Sequence, residues 1–186
     1  MIVKTLSVKQ PWATYICAGL KDVENRTWTT DYRGRLLIHV PVSDKSQYQP
    51  DSRLLPPGWQ DEYRKAISFE GDGFCEVSEG IRKYMRLCDM ADEFYGMTDD
   101  DFADNDTYIN KIKTVAREKG FFMPAGAIIG ECVLADVVQN HAGEWAQDMG
   151  PKTYHWVIKN PVLYEKPVKN VMGKLRLWDF DLPDIV

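Results

Sequence analysis

Lys21, Glu24, Arg26 and Trp28 fall within one short stretch, GLKDVENRTW, at positions 19–28. They supply a cation, a carboxylate, a guanidinium fork and an aromatic plane, the complement of what a nucleotide offers. Arg and Lys hold phosphate, a carboxylate accepts from an exocyclic amine, and a ring stacks on a base. Lys9, Arg33 and Arg35 flank the stretch and suit contact with a phosphate backbone. Trp12 is a further stacking candidate, as is Trp156, and Gln10 adds a neutral donor and acceptor. A plainer reading stands beside this one: Glu24 and Arg26 as a surface ion pair worth little, and Trp12 and Trp156 as core. Catalysis is also open. An arginine neighbour lowers the pKa of a lysine and makes it a base or nucleophile, whereas a carboxylate raises it and makes it a clamp. Glu24 can then serve as general base toward water, with Lys21 on the developing oxyanion.

The elements that must position these groups can be read from periodicity. Residues 2–8 alternate as a first strand. Pro11 suits a first helical turn, Trp12, Ile16 and Leu20 recur at helical spacing, and Gly19 supplies a left-handed stop that hands the chain to Lys21. From Asp22 the period becomes two, which puts Glu24, Arg26 and Trp28 on one face of a strand. Tyr32 to Arg35 turn into a buried strand at 36–40, closed by Pro41. Residues 126–138, 153–159 and 171–180 read as three further strands, with Gly173 as a bulge. Five or six strands with little helix between them predict an antiparallel, closed sheet. His39 and His155 sit inside apolar strands and read as structural. His141 and Glu144, in the loop NHAGEW, border the expected cleft.

Residues 42–122 differ in character and read as a helical insertion within one domain spanning 1–186. Pro56-Pro57-Gly58 reads as a loop and Asp72-Gly73 as a turn. Ile81, Tyr84, Met85, Cys88, Ala91 and Tyr95 form one stripe ended by Gly96; Tyr108, Ile112, Val115 and Lys119 form another ended by Gly120. The acidic run at 99–106 lacks the glycine and final glutamate of a calcium loop. Thr98 with Asp101, and Asp106 before Tyr108, read instead as helix starts.

The chain has 186 residues and a net charge of −5. Six Lys/Arg against three Asp/Glu leave residues 1–40 at +3, and eleven against seventeen leave residues 41–123 at −6. A protein that captures nucleic acid by bulk electrostatics usually carries the opposite sign; here the basic charge is local to the opening stretch. Cys17, Cys75, Cys88 and Cys132 form no CxxC pair, so neither a metal site nor another cofactor is implied. Free thiols and the lack of a leader or long apolar run predict a cytoplasmic protein with no membrane span.

Four blocks in order, LSVKQPWATYICAGLKDVENRTW, YRGRLLIHV, PAGAIIGECVLADVV and YHWVIKNPVLYEKPVKNVMGKLRLWDFD, resemble the ASCH domain family. The family pattern GxKxxExR is met by Gly19, Lys21, Glu24 and Arg26, and the resemblance covers roughly 4–41 and 122–181. It implies a PUA-like β-barrel, mainly β with an α insertion, and RNA or nucleotide as the ligand of a cleft lined by the motif. Some small bacterial members hydrolyse N4-acetylcytidine with a lysine matching Lys21 and a threonine matching Glu24. Here that threonine is replaced by a carboxylate, so position 24 offers no hydroxyl nucleophile. A modified-nucleoside or RNA hydrolase using Lys21 and Glu24, and a protein adaptor docking through the insertion, remain the alternatives. The oligomeric state is not legible.

Overall fold

Alternation of apolar and polar side chains gives the chain a sheet with an interior face, and a short helix covers part of that face. In the computed structural model, which describes residues 1–42, 49–68 and 76–183, six strands form one sheet. They are β1 (Ile2–Ser7), β2 (Val23–Arg26), β3 (Gly34–Val40), β4 (Ala127–Val138), β5 (Tyr154–Lys169) and β6 (Leu177–Asp181). Their order is β2-β5-β4-β3-β1-β6. The chain divides into two compact units, Met1–Lys45 with Ala125–Val186, and Ser46–Pro124.

The expected closed antiparallel barrel is not what forms. β1 and β3 run parallel, from Lys4 opposite Leu36 to Ser7 opposite His39, while the other pairings are antiparallel. The sheet is mixed and open: β2 and β6 are its two edges, and no ladder joins them among the described residues. It is nevertheless strongly curled, because Arg26 on β2 reaches the Ser7 carbonyl of β1 at 2.9 Å. Register shifts between β4 and β5, and between β3 and β4, supply the bending.

Leu36, Ile38 and Val40 project inward with Leu6, Val8, Cys132, Leu134, Trp156 and Ile158. Helix α1 (Trp12–Cys17) lays Ala13, Ile16 and Cys17 into the same cluster. Leu37 alternates to the opposite face, where it packs with Val3, Ile128, Tyr164, Val171 and Trp178.

Three sequence expectations shift. β5 runs ten residues past Lys159, through Pro161 and Pro167, because β2 pairs only with its first part, Tyr154–Val157. Beyond that, the outer side of β5 is an edge, where a proline costs no ladder bond. The last strand begins at Leu177 rather than 171. Gly173 lies in the loop before it, not in a bulge.

In the second unit, α2 (Pro57–Ile67) starts inside the Pro56-Pro57-Gly58 segment that reads as loop, with proline in its first turn. α3 (Glu79–Tyr95) buries Ile81, Tyr84, Leu87, Ala91 and Tyr95 and ends at Gly96; α4 (Asn105–Lys119) buries Ile112. Thr98 and Asp101 form a capping box, and Asp104, rather than Asp106, caps α4. The expected turn at Asp72-Gly73 lies outside the described residues, as does Cys75.

Candidate functional site

Residue 21 is placed by the way α1 ends. Gly19 adopts φ +73°, and the amides of Leu20 and Lys21 both donate to the Tyr15 carbonyl, at 2.9 and 3.0 Å. A side chain at Gly19 would be strained there and would meet Pro161 at 3.2 Å. This turn sends the Lys21 side chain back over β2. Its ammonium donates to the Val23 carbonyl and to Glu24 Oε2, the latter at 2.8 Å.

Glu24 Oε1 in turn lies 3.1 Å from the Arg26 guanidinium, because residues i and i+2 of a strand share a face. One carboxylate is therefore held between two cations. Relative exposure of the side chains runs 4% for Lys21, 11% for Glu24 and 22% for Arg26, so burial deepens toward the lysine and the triad opens to solvent at the arginine. Its formal charge is +1. Arg26 Nε is buried without a hydrogen-bond acceptor among the described residues. An unmet buried donor of this kind costs about 1–3 kcal/mol and is uncommon in folded proteins.

Trp28 lies just past the end of β2 rather than on it. It packs edge-on against Trp156 at 4.7 Å and accepts that indole's N–H through its carbonyl. Trp156 itself is fully buried and serves as core. The Arg176 guanidinium lies 5.9 Å from the centre of the Trp28 ring, held there by a backbone with φ +59°. Lys174 is exposed in the same loop, and its carbonyl lies 3.4 Å from Ser7 Oγ. Arg26, Trp28, Ser7, Lys174 and Arg176 thus form one connected region. Ser7, Lys174 and Arg176 were missed in the sequence. Ser7 contributes a backbone acceptor, which leaves no sequence signal, and the other two fell within an expected strand.

The remaining sequence candidates are dispersed. Lys9 is exposed at the entry to α1. Gln10 is buried, and its carbonyl oxygen accepts from the Thr14 amide and hydroxyl, so it braces the helix. Trp12 is half-buried and packs edge-on against Tyr15 and Trp145. Arg33 pairs with Asp136 and donates to the carbonyls of Thr30 and Tyr32. Arg35 shares the face of Leu37, opposite the triad, where it pairs with Glu131 at 2.6 Å. Burial alone would raise the Glu131 pKa, but hydrogen bonds from Arg35 and Tyr164 hold it below its usual value.

The histidines are engaged as follows. His155 accepts from the His141 amide and faces the Gln147 carbonyl, while Asn25 bonds Trp145 and Gln147, so both fasten the 141–147 loop beside β2. His141 accepts from the Gly143 amide. His39 is wholly buried, with Nδ1 3.0 Å from Ser7 Oγ and Nε2 3.0 Å from the Val171 carbonyl. A methyl group added at Gly173 would come 2.5 Å from this imidazole and 2.9 Å from Ser7 Oγ, so the loop lies tightly over the pair. Among the described residues, no group of three His, Cys, Asp or Glu is arranged to hold a metal ion, and no helix is long and apolar enough to cross a membrane.

Comparison of the sequence with known families finds a match. The ASCH domain model matches residues 6–168. Over 55 residues, the chain is 58% identical to human Activating signal cointegrator 1 and 42% identical to the mouse protein of the same name. In each case the match covers 27% of this chain and 10% of the relative. The chain therefore spans about a tenth of the curated proteins it resembles. The family model, by contrast, covers well over half of the chain, and on that ground this protein belongs to the ASCH domain family.

Proposed function

We propose that the chain is a nucleic-acid-contacting module, with RNA as its ligand, and that Arg26, Trp28 and Arg176 form the contact. The observation that carries this reading is the Lys21–Glu24–Arg26 triad. Its inner pair is closed to water, its outer guanidinium is fixed in direction by Glu24 and the Ser7 carbonyl, and the Ser7 side links through the 174–176 loop to Arg176 over the Trp28 ring. A guanidinium already oriented by a carboxylate loses less freedom on binding phosphate, and a tryptophan flanked by arginine is a stacking platform tolerant of base identity. Lys174, exposed in the loop that reaches Ser7, extends the positive surface. Net charge is negative, so the contact is local and its salt dependence modest. The test is a titration of labelled single-stranded RNA. Binding that weakens with salt, and weakens further in Arg26→Gln, supports the reading; no binding at low salt removes it.

A hydrolytic reading has one observation in its favour. The Ser7 hydroxyl, on the Leu37 face of the sheet, is hydrogen-bonded to His39, in the residue whose carbonyl Arg26 grips. Against Lys21 and Glu24 as the acting pair stands their 2.8 Å contact, which must open before either meets a substrate. Release of acetate from N4-acetylcytidine, lost in Ser7→Ala, would establish hydrolysis; no turnover leaves the binding reading.

A further inference from the structure

The second unit contains a cavity of about 500 Å³, within the range that holds small ligands. Four aromatic rings line it: Tyr63 from α2, Tyr84 from α3, Phe102 from the turn before α4, and Tyr108 from α4. They stand as two pairs, Tyr63 with Tyr84 at 5.1 Å and 87°, and Phe102 with Tyr108 at 5.7 Å and 34°. Phe102 is 53% exposed, a large apolar ring with half of its surface left to solvent. Asp92 of α3 also lines the cavity. Among the described residues its carboxylate forms no ion pair; the Gln49 amide donates to it at 2.7 Å. No lysine or arginine is among the lining residues.

We propose that this cavity binds an organic ammonium group, either a quaternary or methylated amine of a small molecule or the modified side chain of a lysine. Ring faces attract such a cation through their quadrupoles, and Asp92 supplies the full charge that a purely aromatic pocket lacks. A neutral ligand of the same shape gains only the apolar contact. The surroundings point the same way. Burial raises the Asp92 pKa, opposed by the Gln49 hydrogen bond and reinforced by repulsion from Asp89, and burial raises those of Tyr63 and Tyr108, with the Asp92 charge adding to both. The charges of Asp89 and Asp92 add to these shifts, and an entering cation offsets that part of them. Residues 41–123 carry a net charge of −6, so the long-range field also favours a cation.

The experiment is an NMR titration of the full chain with choline, with its neutral carbon isostere 3,3-dimethylbutan-1-ol, and with a short peptide containing trimethyl-lysine. Expected is saturable movement of the Tyr63, Tyr84 and Tyr108 ring resonances by choline or the peptide, with the isostere at least ~10-fold weaker. Phe102→Ala, at an exposed ring, should raise the dissociation constant severalfold without changing the melting temperature. A peptide that binds much tighter than choline assigns the source to a protein side chain; equal affinity assigns a small molecule. Equal binding of choline and its isostere, or no saturation by either cation, overturns the proposal.

Discussion

The Lys21 ammonium lies 2.8 Å from the Glu24 carboxylate, and both side chains are almost wholly withdrawn from water. Withdrawing such charges is costly, and the second Glu24 oxygen offsets part of that cost by pairing with Arg26. Removing the carboxylate alone leaves a buried lysine unpaired. Glu24→Ala should therefore destabilise the protein by about 3–5 kcal/mol in urea unfolding, while the double variant Lys21→Met, Glu24→Leu should recover much of that loss. A Glu24→Ala cost below about 1 kcal/mol would mean that the pair behaves as a solvated surface bridge.

Arg176 is exposed and touches the Trp28 ring rather than the core. Arg176→Ala should leave the melting temperature unchanged, weaken RNA binding and reduce the slope of log K against log salt by about one. The check is fluorescence anisotropy over a salt series. An unaltered slope would remove Arg176 from the contact.

His39 titrates against the fold. Burial lowers its pKa from the ordinary value, opposed only in part by its hydrogen bond to the Val171 carbonyl. The unfolded chain thus takes up a proton that the folded one refuses. Stability from this group is full above the unfolded pKa of about 6.5 and declines as pH falls below it. Unfolding free energy should drop between pH 7.5 and 5.5, and the drop should be smaller in His39→Gln. An equal drop in both proteins would place the titration elsewhere.

The described thiols should be slow to react. Burial pushes Cys88 up to about 11 and Cys132 up to about 12, and raises Cys17 well above its ordinary value. In a Cys75→Ser background at pH 8, thiolate is on the order of 0.1% at Cys88 and less at Cys132. Alkylation by iodoacetamide should be slow at pH 8 and quicken about tenfold per pH unit. Rapid labelling of the folded protein at pH 8 would contradict the burial of these residues.

Local elements were legible where one residue type dominates the physics. Gly19 announced a left-handed turn, and the i, i+2 spacing of Glu24 and Arg26 announced a shared face; both are in the structure. Strand order was not legible, because the parallel pairing of β1 with β3 depends on contacts distant in sequence, and so the expected closure was wrong. Pro161 and Pro167 hid the second half of β5, since a proline breaks a strand only where its missing N–H is needed. Arg35 could have been assigned correctly: Leu36, Ile38 and Val40 face the core, so alternation sends Arg35 to the other side, away from Glu24. The Ser7 carbonyl that receives Arg26 carries no side-chain signal at all.

The contact surface is tested most directly by chemical-shift mapping with a short single-stranded RNA. Saturable shifts of the Trp28 indole N–H and of the Arg26 and Arg176 side-chain N–H signals, with the Arg35 signals unmoved on the opposite face, are the result expected. Absence of any shift at low salt, or shifts centred on Arg35 and Glu131 instead, would contradict the assignment of the triad as a nucleic-acid contact.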